Sequence, residues 1–282
     1  AGGYPTWLPL LIAYLAFFGI VFPLAALLLR RLPAAAPEKG NIRARHFFAF
    51  LPILFLCSFV GSQLSQWLVA LLADAFGLQT GSALGTLLLT HPLVMVFILL
   101  VAAPLCEEWF FRKLLLDRAC IYGEKLAIFV SALLFACYHT SIYQFFYAFF
   151  VGLIFGYLYL RTGRLWVTAL MHAIYNLVCI ILPYVMLRFG IFGAFMEAET
   201  VDEQIAVILA NPVGAAVACV YGFICLGLLI GGCLLLGKYR KKVFFKPAAC
   251  PLPPDTEGAA AFVNVGMLLC IIASVLITLR FR

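Results

Sequence analysis

The chain has 282 residues, 66% of them hydrophobic and 11% charged, with a mean hydropathy of +1.11. So few polar residues cannot cover a surface that faces water, so an ordinary soluble domain is excluded and lipid is the solvent for most of the molecule. The formal net charge of +7 is a signal of membrane topology before it is a signal of partners, and no nucleic-acid site is evident.

A spanning helix needs about 20 mostly apolar residues. Runs of that kind occupy 8–29, 47–73, 84–106, 126–160, 165–187, 205–236 and 260–279. The first is too long for the apolar stretch of a cleaved signal peptide and is read as a mature helix. The fourth is too long for one crossing. Thr140, Ser141 and Gln144 mark a reversal inside it, which divides it into two short helices. The expected fold is all-α, a polytopic bundle of about eight transmembrane helices forming a single transmembrane domain over 1–282.

Charge sorting agrees with that count. With the N-terminus outside, the inside loops hold 16 of the 19 Lys and Arg residues, in groups at 30–45, 112–125, 161–164 and 238–246. Only Arg188, Arg280 and Arg282 remain outside, as the positive-inside rule requires. Both termini are therefore expected on the non-cytoplasmic side of a cell membrane. The segments 31–46, 188–204 and 238–258 read as exposed connectors. The acidic group Glu197, Glu199, Asp202 and Glu203 reads as a solvated face. Gly152 with Gly156, and Gly227 with Gly231, have the spacing that lets helices approach closely. Eight of the ten cysteines lie in or against apolar runs without metal-type pairing and read as small membrane-core residues.

Ionisable residues inside spanning segments cost about 2.5–3.5 kcal/mol each on insertion scales, and they usually line a cavity or pair with one another. Four places carry them: Glu107, Glu108 and Arg112; His139, four residues after Phe135; His172 and Asn176; and His91, which precedes Pro92 and reads as a helix-start residue. Glu108 and Arg112 are four apart and can pair on one helix face, while Glu107 is turned about 100° away toward a neighbouring helix. His172 and Asn176 are also four apart and project together, so they can present two donors to one oxygen. Counted from the nearest cytosolic charge, Glu107 lies about 8 Å deep, His172 about 12 Å, Asn176 about 18 Å and His139 about 21 Å. The set suits amide hydrolysis: a carboxylate takes a proton from water, an imidazole orients that water, and donors opposite stabilise the oxyanion.

At these residues the sequence resembles the CPBP family, the CAAX-protease and bacteriocin-processing group of glutamic intramembrane endopeptidases, which includes the type II CAAX prenyl endopeptidases. The resemblance rests on three short motifs in order across 107–176: Glu107, Glu108 and Arg112; Phe135 and His139; His172 and Asn176. It implies Glu107 as the base that activates water, His139 as its partner on that water, and His172 with Asn176 as the oxyanion site. It also implies Glu108 and Arg112 as supporting residues. The implied partners are the lipid bilayer and a membrane-associated or lipidated peptide substrate, with no metal and no cofactor.

Other functions remain open from the residues alone. A Glu/His/His set can bind zinc and run metal-assisted hydrolysis, although no HExxH helix is present. Cys106 could act as a nucleophile with a histidine. A catalytically inactive scaffold or immunity protein of the same fold would keep the helices without the chemistry, and a transporter would place polar groups at the midplane.

Overall fold

The computed structural model describes residues 8–76, 92–181, 200–253 and 267–273, together with single positions at 194, 197, 198, 256 and 259. His91, Glu199, Arg188, Arg280 and Arg282 lie outside the described residues, as does most of the run 260–279.

Among the described residues every regular element is helical. Helix α1 covers 8–29, with a π-helical turn at Phe17–Val21 between two α-helical segments. Helix α2 is Ala44–Phe76, and α3 runs over 92–122 with π-helical stretches at Ile98–Ala102 and Trp109–Leu116. Then come α4 (Glu124–Tyr138), α5 (Ile142–Thr162), α6 (165–181, ending in a π-helical turn at Leu177–Ile181), α7 (Val201–Ala210) and α8 (Pro212–Tyr239). Among the described residues five helices are long and apolar enough to cross a bilayer: Ile12–Leu29, Ala44–Leu72, Leu93–Tyr122, Ile142–Thr162 and Pro212–Lys242. Leu165–Ile180 is apolar but shorter. The molecule is a multi-pass membrane protein.

Two of the π-helical turns have a local cause. Pro23 and Pro104 each follow one. A proline has no N–H to give to the carbonyl four residues back, and its ring crowds that carbonyl, so a widened turn relieves both problems. The long apolar run at 126–160 breaks at His139–Ser141, where Thr140 takes a positive φ of 46° and Ser141 is extended. Gln144, read from the sequence as part of the reversal, already lies inside α5.

Burial is inverted relative to a water-soluble protein. Leu93, Phe223 and Leu234 are exposed, while Glu107, Glu108, Arg112, Asp117 and Glu124 are buried. An apolar outer shell of this extent in water would drive aggregation, whereas in lipid it has no cost. The helices approach most closely at glycines. A Cβ on Gly61 of α2 would lie 2.6 Å from the Tyr147 Cα of α5, and one on Gly152 of α5 would lie 2.9 Å from the Ala132 Cα of α4. Of the second GxxxG pair, Gly231 faces the Pro52 ring and Gly227 has open space beside it; the tight contact belongs instead to Gly232, against the Pro52 carbonyl of α2.

One end of the bundle is stitched together by loops and helix ends that carry most of the basic residues. The Ala35 N–H donates to the Asp117 carbonyl at 2.7 Å, and the Gly40 N–H to the Thr162 carbonyl at 2.9 Å. Arg164 holds the Gly40 carbonyl and the Asn41 side chain. Glu124, buried, accepts from the Arg161 guanidinium and from the Lys246 N–H. Arg161 also lies over the Phe244 ring, and the Cys250 N–H reaches the Ile121 carbonyl. Within the exposed connector 238–258, the stretch 244–250 is thus a strap seated across this end. Of the acidic group, Glu203 in the first turn of α7 closes a capping box with Thr200, which satisfies exposed N–H groups at the helix start.

Gly152→Val is expected to lower stability by about 1–3 kcal/mol through overpacking against the α4 backbone. Gly227→Val, which meets nothing, should leave the melting temperature in detergent unchanged.

Candidate active site

Helix α3 carries the Glu pair in the turn after Pro104, where the helix returns to α geometry between its two π-helical stretches. The two carboxylates part as their spacing requires. Glu108 is fully buried, and its Oε2 accepts from Arg112 Nε at 3.0 Å. Its other oxygen, Oε1, accepts from His172 Nδ1 on α6 at 3.2 Å. Glu107 faces a cavity instead, with its Oε2 3.9 Å from His172 Nε2, beyond direct hydrogen bonding.

Arg112 is also fully buried, which corrects its sequence assignment to an inside loop. Its guanidinium lies over the rings of Phe135 at 5.2 Å and Phe155 at 6.0 Å, and its Nη1 donates to Ser131 Oγ on α4 at 2.8 Å. Its Nη2 has no hydrogen-bond partner among the described residues.

That correction also removes the apparent depth mismatch. The chain turns at Gly123, not at Arg112, and Glu107 and His139 each lie sixteen residues from that turn. By helical rise both are about 24 Å from it, somewhat less along the π-helical stretch of α3. The antiparallel pair α3 and α4 therefore brings them to the same level.

His139 closes α4, and its Nδ1–H donates to the Phe135 carbonyl at 2.8 Å. That bond fixes the tautomer, leaving Nε2 as an acceptor. Asn176 donates one N–H of its carboxamide to the Leu99 carbonyl, in the π-helical stretch of α3, at 2.8 Å. Glu107, His139, His172 and Asn176 all line one cavity of about 280 Å³. Glu108 and Arg112 stand behind its wall and do not line it. Cys106, the alternative nucleophile, does not line it either.

Sequence reading passed over several residues here. Tyr14, Tyr138, Tyr147 and Tyr175 give the cavity hydroxyl-bearing walls, and Gln144 adds a carboxamide. A second cavity of about 270 Å³ lies next to the first and shares Tyr147, Tyr175 and Ile180 with it. Ser131 was also missed. Its signal was available, because Ser131, Phe135 and His139 recur every four residues and so form one stripe of α4.

Residues 89–178 match the family model of Rce1-like proteins, described as type II CAAX prenyl endopeptidase Rce1-like. The matched segment is CAAX-protease-like, within a chain that is a membrane protein. The matched segment contains all six polar residues of the cluster and runs from the start of α3 into the last turn of α6. No curated protein and no solved structure matches the chain. Among its described residues, no three His, Cys, Asp or Glu side chains converge as a metal-ligand group.

Replacing Arg112 by Met should destabilise the fold by about 3–5 kcal/mol, because the Glu108 charge then stays buried without its partner. The double variant Glu108→Gln/Arg112→Met should recover much of that loss in denaturation of the purified protein.

Proposed function

We propose that this chain is an intramembrane endopeptidase of the glutamic type, hydrolysing a peptide bond in a membrane-associated or lipidated peptide. A prenylated peptide is the member of that class to which the family description points. The observation that carries the reading is the single cavity lined by Glu107, His139, His172 and Asn176. In this reading the chain crosses a cell membrane eight times as one transmembrane domain, with both termini on the non-cytoplasmic side and the peptidase motifs within 107–176. The clustering of basic loops at one end of the bundle supports that orientation.

Water held between the Glu107 carboxylate and His139 Nε2 attacks the scissile carbonyl carbon. Its proton passes to Glu107, and the carbonyl π electrons move to oxygen. His139 suits the orienting role because its Nδ1–H is committed to Phe135, so Nε2 presents a lone pair to water. The tetrahedral oxyanion forms against the second N–H of the Asn176 carboxamide, the first being held by Leu99. His172 joins as a donor through Nε2 only when its ring carries both protons, since Nδ1–H already serves Glu108. Collapse breaks the C–N bond, and the proton on Glu107 goes to the leaving amine. Atoms and charges balance without a covalent enzyme intermediate.

The test compares wild type, Glu107→Gln, His139→Ala and Asn176→Ala in nanodiscs, with and without chelator, against membrane-anchored peptides. Cleavage that survives chelator, is absent from the Glu107 and His139 variants, and falls about 100–1,000-fold in kcat for Asn176→Ala is the expected result. Cleavage abolished by chelator would move the assignment to metal-assisted hydrolysis, and a fully active Glu107→Gln would sink the glutamic reading.

A further inference from the structure

Arg112 cannot accept a hydrogen bond, so its position depends on what accepts from it. Two acceptors are in place: the Glu108 carboxylate at 3.0 Å and the Ser131 hydroxyl at 2.8 Å. Ser131 is fully buried, and its one hydroxyl hydrogen is already donated to the Phe111 carbonyl at 3.0 Å. That carbonyl belongs to the π-helical stretch Trp109–Leu116 of α3. With its hydrogen spent there, the hydroxyl can only offer lone pairs to the guanidinium, so it is held as an acceptor and cannot rotate to repel Arg112. The Phe135 and Phe155 rings lie against the guanidinium, and its Nη2 has no partner among the described residues. Ser131 therefore sets how far the guanidinium reaches along α4. Glu108 follows Arg112, and the His172 Nδ1–H follows Glu108 at 3.2 Å.

We infer that Ser131 is a positioning residue for the reaction: through Arg112 and Glu108 it fixes the ring orientation and tautomer of His172, so that Nε2 faces the cavity beside Glu107. Ser131 neither lines the cavity nor touches the reacting atoms. Its influence runs through three hydrogen bonds that join α4, α3 and α6. An apolar residue of similar size at this place would pack as well, but it would leave Nη1 without an acceptor and the relay without its anchor.

The experiment uses Ser131→Ala, Ser131→Cys and Ser131→Thr in the full chain in nanodiscs, each checked for thermal melting. Alanine removes the acceptor, cysteine keeps the size but accepts weakly, and threonine keeps the hydroxyl. Two readouts are taken. The first is the split between kcat and KM on a membrane-anchored peptide. The second is heteronuclear NMR of nitrogen-labelled histidines; the chain has only four, and the His172 signals are assigned by their loss in His172→Gln.

The expected result is a fall in kcat of about 10–100-fold for alanine and cysteine, the range for partners that orient a functional histidine from behind. KM should stay within about twofold, threonine should retain most of the rate, and the His172 nitrogen signals should move in the alanine and cysteine variants only. The kinetic arm rests on the peptidase reading, while the NMR arm does not. If wild type cleaves no peptide, the peptidase reading fails and the His172 signals alone decide the relay. Unchanged His172 signals in Ser131→Ala overturn the inference, as does a loss of rate that tracks melting temperature equally across all three variants.

Discussion

The Glu108 carboxylate is the interaction on which the rest of the site depends. It sits at zero exposure in a membrane-embedded bundle, where no water can solvate it. Each oxygen is engaged by a different helix's demand: Oε2 by Arg112 one turn along α3, and Oε1 by His172 on α6. Because both oxygens are occupied, the adjacent Glu107 is left as the carboxylate that meets the cavity. Two neighbouring glutamates thereby take different settings, one bonded inside the bundle and one facing the cavity, through the 100° step of a helix.

The same economy governs the histidines. Each has one ring nitrogen tied from behind, His139 by the Phe135 carbonyl and His172 by Glu108, so each offers the other nitrogen forward. Asn176 is arranged likewise, with one N–H spent on Leu99 and one left. Of the two anchors on α3, Leu99 lies in a π-helical stretch and Glu108 immediately precedes the other, which fits the habit of such turns to appear where regular hydrogen bonding is interrupted.

The parts of this arrangement legible in the sequence were those fixed by spacing on one helix. The Glu108–Arg112 pair, the separate face of Glu107 and the joint projection of His172 and Asn176 follow from residues four or one apart. Division of the long run near Thr140 was legible because two helices must turn somewhere within it. What depended on partners across helices was not. Arg112 looked like a loop charge because a sequence cannot distinguish a base buried by a distant serine from one in solvent. That misplacement carried over into the depth assigned to Glu107. Ser131 was passed over despite its spacing with Phe135 and His139, because serines are unremarkable in membrane helices, and Gly232 because the GxxxG spacing drew attention to its neighbour. The strap at 244–250 was legible only as part of an exposed connector, because a sequence can signal irregular backbone but not where that backbone is seated.

That strap has a consequence for biosynthesis. Glu124 and the Lys246 N–H that it accepts are 122 residues apart. Chains emerge N-terminus first, and domains take shape as they are made. Helices α3 to α6, with Glu107, His139, His172 and Asn176, are therefore synthesised before the segment that closes their end exists. During that interval the buried Glu124 has Arg161 but not the backbone of 246, and the end of the bundle is an open seam. Helix α8 thus does more than add a span at the periphery: the strap that follows it brings hydrogen bonds to the end of a bundle whose cavity-lining helices were translated earlier.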